Sequence, residues 1–240
     1  MLDELFSDSW SLYQANFYSI AAIVLPLVVP AEIFVTYYEF TFLDEHSSSL
    51  ASLAPSAIVL PFYALFSATL VFFVYSVVLN QKLAISKAWE MGLKAWMPYL
   101  LLNVVVILLC GLGSLLLIVP GIYALIKFSF AGFEMLLRGQ SLGSSLNLSW
   151  QRTEGYKGKL FVGLVVLVAI RLPITAFVRT FVPGSTDYLL IYTVTNILSA
   201  LIDAYFVIYV FRVYWLAGEQ HNKSFKDAAS RQDASDAGAP

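Results

Sequence analysis

The sequence has little charge and almost no cysteine. Only 12% of its 240 residues are Asp, Glu, Lys or Arg, against roughly 25% in soluble domains. The single cysteine, Cys110, excludes an intrachain disulfide framework and a cysteine-based metal cluster. A net charge of −2 produces no electrostatic field that would favour nucleic acid. We therefore predict no cofactor and no nucleic-acid partner.

Motifs of catalysis are also missing. The chain contains no Gly-x-Ser-x-Gly nucleophile elbow, no Walker loop and no dinucleotide-binding fingerprint. Its two histidines, His46 and His221, fall on opposite sides of the membrane in the topology developed below. They cannot share a metal site or a catalytic triad within one chain. The sequence thus predicts no metal site and a protein that is not an enzyme.

Long apolar runs are abundant instead. Hydrophobic residues make up 59% of the chain, and the mean hydropathy is +0.76. From Leu100 to Ile126 there is no charged side chain, and only Val119-Pro120-Gly121 interrupts the run. At about 1.5 Å per residue, roughly 20 helical residues cross a hydrocarbon core of about 30 Å. This stretch therefore predicts a transmembrane hairpin with almost no loop.

The same rule predicts an all-α, polytopic membrane bundle that forms a single domain over residues 1–217. Amphipathic segments at 1–16, 80–97 and 139–159 are predicted to be three interfacial helices. Each precedes two spans, which suggests an internal repeat, although any helix at a membrane surface collects aromatic residues. Residues 218–240 are predicted to be a disordered cytoplasmic tail. The six transmembrane helices are expected at about 18–40, 56–79, 98–118, 120–138, 160–182 and 188–216.

Charged residues inside the predicted spans are the main functional candidates. The helical rise places Glu32, Lys127 and Arg171 at similar depths, about 15–22 Å from the inner surface, with Asp203 somewhat lower. A lone charge at the bilayer centre costs about 2.5–3.5 kcal/mol. We therefore expect Arg171 to pair with Asp203 or Glu32, and Lys127 to pair with Glu32. These four residues form a candidate intramembrane polar site, made of structural ion pairs or lining a polar path.

Basic and aromatic residues alternate at the predicted cytoplasmic ends of the spans. Such a collar suits anionic lipid headgroups, at about 1 kcal/mol per basic residue near the surface. Plain anchoring of the helices requires the same chemistry. The residues of this candidate lipid-headgroup collar are Lys87, Trp89, Lys94, Trp96, Trp150, Arg152, Lys157 and Lys159.

Four short motifs carry a family resemblance. They are Ile-Val-Pro-Gly-Ile-Tyr from Ile118, Leu-Ser-Trp from Leu148, Asn-Ile-Leu-Ser-Ala from Asn196 and Tyr-Val-Phe-Arg-Val-Tyr from Tyr209. Their order resembles the YciC-like family of bacterial inner-membrane proteins and, more distantly, the membrane domain of some glycerophosphodiester phosphodiesterases. The resemblance implies an integral inner-membrane protein linked to envelope integrity, and it brings no catalytic residues. Lys127 and Glu134 on the fourth span depart from the family pattern.

Together these features predict a non-enzymatic protein that organises lipid or partner proteins in the cell envelope. Its expected partners are membrane lipids and other inner-membrane proteins. The alternative is a small transporter or lipid-handling channel with the four intramembrane charges along its path. A transporter predicts a polar cavity where those charges meet, whereas a scaffold predicts a filled bundle interior.

The basic residues predict the orientation. With six spans, nearly all Lys and Arg fall on one side, and only Arg179 falls near an outer loop. The positive-inside rule then places both termini in the cytoplasm, and the family resemblance implies that the membrane is a bacterial inner membrane. Reporter domains fused after Glu45 and after Gly184 should both face outward when assayed with paired periplasmic and cytoplasmic reporters. Cytoplasmic activity at both sites would contradict this topology.

Overall fold

The part of the chain that the structure describes is helical. The computed structural model contains no strand among these residues, so the predicted all-α class is confirmed. The predicted loop after the first span and both reporter sites, Glu45 and Gly184, lie outside the described residues. Side chains at 40, 56, 116, 186–188 and 220–236 are also outside the description. The described residues are 2–42, 54–178, 180 and 186–236.

The helices follow one another with short connections, and one 3-10 turn at Glu154–Tyr156 joins the seventh to the eighth. They are α1 Leu2–Ala15, α2 Phe17–Phe42, α3 Ala54–Val78, α4 Ile85–Leu116, α5 Ile118–Phe128, α6 Ala131–Arg138, α7 Leu142–Arg152, α8 Lys157–Val178 and α9 Thr186–Asp236.

Six stretches of the described chain are long and apolar enough to cross a membrane. They correspond in order to the six predicted spans, so the chain has the composition of a multi-pass membrane protein. These stretches are Phe17–Glu39, Ala57–Val78, Ile85–Leu115, Ile118–Arg138, Glu154–Val178 and Leu189–Glu219.

Helix α9 is the centre of the bundle and packs against α1, α2, α3 and α8. Its residues Ala200, Ala204 and Ile208 are fully or almost fully buried, and the two alanines permit close approach of neighbouring helices. Tyr209 is also fully buried, and its hydroxyl donates a hydrogen bond to the Lys159 carbonyl of α8 at 2.7 Å. This bond connects the centre of the bundle to the first turn of α8.

Two elements differ from their predictions. The segment 80–97 is not a separate interfacial helix, because α4 runs without a break from Ile85 through Pro98 into the third span. Proline removes one backbone hydrogen bond but does not end a membrane helix, and Glu90 supports the preceding turns by pairing with two lysines. Helix α9 continues to Asp236, whereas disorder was predicted from residue 218. The alanine-rich stretch after residue 226 favours helix.

The predicted hairpin without a loop is confirmed between α4 and α5. Only Leu117 is extended, with φ −163° and ψ 152°, and its N–H donates to the Gly113 carbonyl at 3.1 Å. Pro120 lies in the first turn of α5, where a missing N–H removes no helical hydrogen bond. The two helices meet backbone to backbone, since a Cβ on Gly113 would lie 3.1 Å from the Cα of Gly121.

The fourth span is broken, which the sequence did not predict. Helix α5 ends at Phe128 and α6 begins at Ala131. The hydroxyl of Ser149 in α7 bridges the break, donating to the Lys127 carbonyl at 2.7 Å and accepting from the Phe130 N–H at 3.1 Å. Helix α7 can do this because the chain reverses at Gly139, which has a φ of 63°. Helices α6 and α7 therefore form a helical hairpin.

The close contact at Gly113 generates a stability prediction. Replacing Gly113 with Leu should force α4 and α5 apart and lower the free energy of unfolding by about 1–3 kcal/mol, as overpacking typically does. Gly111→Leu is the matched control, because a Cβ there meets nothing within 4 Å. Thermal unfolding of the purified protein in detergent measures both effects. Equal melting temperatures for the two variants would contradict the packing described here.

Candidate functional site

An ion pair joins α8 to α9, the last two helices of the chain. The Arg171 guanidinium of α8 donates from Nη1 to both carboxylate oxygens of Asp203 on α9, at 3.0 and 3.2 Å. This is one of the two pairings predicted for Arg171. The side chains keep 42% and 20% of their surface exposed. The pair is therefore accessible from one side.

The carboxylate of Glu32 faces the same region from α2. The residue is only 5% exposed, and the side-chain amide of Asn196 on α9 hydrogen-bonds it. One turn farther along, the Thr193 hydroxyl donates to the Thr36 hydroxyl at 3.0 Å, so two polar contacts set the register of α2 against α9. The charge of Arg171 also acts on Glu32. Three of the four predicted intramembrane charges are thus brought together.

These groups line a cavity of about 740 Å³ between α2, α3, α4, α8 and α9. Glu39 and Tyr63 also line it, and neither was among the predicted site residues. The signal for Glu39 was available, because it lies seven residues after Glu32 and two helical turns bring both to one face. With Glu32, Glu39 and Asp203 against the single guanidinium of Arg171, carboxylates outnumber cations in the lining that the structure describes.

Helices α4 and α8 border the cavity without packing closely against each other. Ile107 of α4 lines the cavity and is 53% exposed, while Arg171 lines it from α8. Within the described residues, α4 and α8 are not among the helix pairs with substantial packing. This side of the cavity is therefore not covered by a close helix–helix contact.

The predicted pairing of Lys127 with Glu32 is wrong. Lys127 is buried, with 1% of its surface exposed, and its Nζ donates to the Trp150 carbonyl at 2.7 Å and to the Glu154 carboxylate. The ammonium also lies 5.0 Å from the centre of the Trp150 ring, a distance at which cation–π attraction contributes. The break after Phe128 brings Lys127 beside the last turn of α7 and the 3-10 turn that leads into α8.

A second buried carboxylate completes the α6–α7 hairpin. Glu134 is fully buried and accepts a hydrogen bond from Arg152 at 2.9 Å, with the Nε of Arg138 3.6 Å from its other oxygen. Removing one member of such a buried pair leaves an uncompensated charge and is strongly destabilising. This cluster holds α6 against α7.

The predicted collar divides into two groups. On α4, Lys87 and Lys94 both pair with Glu90 at 2.7 Å, and the indole of Trp96 donates to the Pro61 carbonyl at 2.8 Å. Trp89 packs against the core. Around α7 the collar residues contact other groups of the hairpin and of α8. Arg152 pairs with Glu134, Lys157 pairs with Glu154, and Lys159 lies 5.3 Å from the centre of the Tyr156 ring.

The arrangement offers ion pairing and hydrogen bonding to a charged ligand. Among the residues that the structure describes, no group of three His, Cys, Asp or Glu side chains is placed to hold a metal ion. The chain matches no family model, no curated protein and no solved structure. Any functional conclusion must therefore come from the cavity itself.

The Arg171–Asp203 pair can be tested by exchanging the charges. Arg171→Asp and Asp203→Arg should each leave two like charges facing each other and lower accumulation in the membrane. The double variant restores an opposite pair across the same interface, so it should accumulate more than either single variant. Quantitative immunoblots of membrane fractions measure this. A double variant no better than the single ones would contradict the pairing.

Proposed function

We propose that this protein takes the amine-bearing headgroup of a membrane lipid into the cavity between α2, α3, α4, α8 and α9, without catalysing a reaction. The observation that carries the proposal is a cavity of about 740 Å³ lined by Glu32, Arg171 and Asp203 inside a bundle of membrane-spanning composition. A scaffold alone predicts a filled interior. The cavity therefore favours the lipid-handling alternative.

The charges of the lining favour a headgroup that carries both an ammonium and a phosphate. Glu32 and Glu39 lie on one face of α2, and neither forms an ion pair in the described structure that would neutralise it, so an ammonium complements them. Arg171 already shares its charge with Asp203, and guanidinium N–H groups left over can donate to phosphate oxygens. Charge-assisted bonds of this kind are strong where water is scarce.

Access from the lipid fits the same proposal. We place the entrance between α4 and α8, which line the cavity with Ile107 and Arg171 and do not pack closely against each other. In the apolar stretch of each of these two helices, only 11% of the residues are buried inside the bundle. A lipid can then enter with its chains still in the bilayer, which avoids exposing them to water.

The cellular setting is part of the proposal. The basic residues favour a bacterial inner membrane with both termini in the cytoplasm, and the resemblance to the YciC-like family points the same way. In that orientation the cavity opens in the outer half of the bilayer, because Glu39 lies near the outer end of α2. The collar on α4, α7 and α8 then contacts inner-leaflet lipids, and other inner-membrane proteins are the partners we expect at the lipid-facing surfaces.

The headgroup proposal predicts a lipid preference that depends on Glu32. Protein purified from nanodiscs containing equal phosphatidylethanolamine and phosphatidylglycerol should retain more of the amine lipid by mass spectrometry. Glu32→Gln removes the negative charge with little change of shape and should reduce that preference at least about tenfold, the value of one charge-assisted hydrogen bond. Glu39→Gln should act in the same direction.

Glu219→Gln is the matched control, because Glu219 is exposed, does not line this cavity, and the glutamine oxygen can still accept the Trp215 indole N–H. It should leave the lipid preference unchanged. Equal retention of the two lipids by the unaltered protein, or an unchanged preference in both Glu32→Gln and Glu39→Gln, would overturn the proposal.

A further inference from the structure

A second cavity of about 220 Å³ lies next to the polar one. We infer that this inner cavity holds an acyl chain of the same lipid, so that the two cavities together form one binding site. The inference rests on the headgroup function proposed above. The lining residues Ser67, Asn103, Phe206 and Val207 are common to both cavities, which makes the two spaces direct neighbours.

The cavities follow each other in the same order on every helix that contributes to both. On α9 the polar cavity is lined from Tyr192 to Val207 and the inner cavity from Phe206 to Val210. On α3 the polar cavity ends at Ser67 and the inner one extends to Val71. On α4 and α8 the residues toward the inner cavity are again those nearer the inner end of the helix. The combined site therefore runs along the membrane normal.

The lining changes from charged in the outer cavity to apolar in the inner cavity, as the binding of a lipid requires. Charged groups occur only in the lining of the outer cavity. The inner lining is dominated by aliphatic and aromatic side chains, among them Leu102, Leu164 and Phe133. An outer-leaflet lipid has its headgroup outward and its chains pointing to the bilayer centre. The site thus matches the orientation of a lipid in the outer leaflet.

The polar groups at the junction are already satisfied. The hydroxyls of Ser67 and Tyr99 are 3.2 Å apart and hydrogen-bond each other, and the Asn103 amide donates to the Tyr99 carbonyl at 2.8 Å. Since these bonds are made within the protein, an apolar chain that passes the junction breaks none of them. The junction can therefore accept a methylene chain.

The volume limits how much chain can enter. An apolar cavity of about 150 Å³ in another protein is large enough for benzene. A cavity of about 220 Å³ therefore accommodates a segment of one chain and excludes two side by side. Moving a chain from lipid to an apolar pocket gains little from the hydrophobic effect, because both surroundings are equally apolar. The fit of the chain decides its binding.

Photo-crosslinking tests the position of the chain. The full-length protein in nanodiscs is incubated with phosphatidylethanolamine that carries a diazirine at the end of one acyl chain, and adducts are located by mass spectrometry. We expect adducts on α5 and α6 at inner-cavity residues such as Ile126, Gly132 and Phe133, of which Ile126 and Phe133 are buried. Adducts confined to lipid-exposed residues such as Leu115 and Leu172 would overturn the inference.

A filled cavity provides the matched comparison. Leu164→Trp places a larger side chain in the inner cavity and should reduce inner labelling at least about tenfold, as overpacking of a close-fitting space does. Leu172→Trp makes the same change on the same helix at a residue that is 63% exposed, and it should leave the labelling within about twofold. Val106→Phe fills the cavity from α4, and it replaces Leu164→Trp as the cavity-filling variant if Leu164→Trp does not fold.

The outcomes separate the two proposals. If Glu32→Gln changes the headgroup preference while the diazirine labels only the exposed surface, the chain position is wrong and the headgroup site stands. If the unaltered protein shows neither a headgroup preference nor inner labelling, both proposals fail. Equal inner labelling in Leu164→Trp, Val106→Phe and Leu172→Trp would also overturn the chain position.

Discussion

Inside a bilayer every backbone N–H and C=O needs a partner within the protein, and this constraint governs where the middle of the chain turns. At Leu117 the turn takes a single residue, whose N–H bonds to the Gly113 carbonyl. At the break between α5 and α6 the missing partners come from Ser149, which contacts both the Lys127 carbonyl and the Phe130 N–H. Helix α7 is therefore fixed in register by the break that it bridges.

The position of α7 also determines which groups the buried charges contact. Because α7 runs back along the break, its last carbonyl groups and Glu154 come within reach of the Lys127 ammonium. Lys127 is then neutralised locally, and Glu32 contacts Asn196 instead of a lysine. The cavity keeps an excess of carboxylates for this reason. The helical break thus influences the charge of a cavity in another part of the bundle.

The features of the fold that depend on local regularity were predictable from the sequence. Apolar runs gave the six spans, and the helical rise brought Arg171 and Asp203 to compatible depths. The depth estimated in the same way did not predict the partner of Lys127, because the estimate assumed that residues 120–138 form one straight helix. Glu39 was missed because it falls at the end of the first predicted span, although it lies two turns after Glu32 on the same helix. The cavity was expected only for the transporter alternative, because no local pattern encodes how far the helices separate.

The exposure of an ion pair decides whether it can also bind a ligand, as a comparison of the Glu134–Arg152 and Asp203–Arg171 pairs shows. Glu134 has no exposed surface, and Arg152 and Arg138 are directed at its two oxygens, so the pair has no free face for a ligand. Arg171 and Asp203 keep part of their surface exposed on the side of the cavity. A half-exposed pair in a low-dielectric surrounding retains unused hydrogen-bonding capacity and strong attraction for a counter-charge. The proposed zwitterionic headgroup would supply both signs of charge, and it would pair with Arg171 and Glu32 at once while each keeps its present partner.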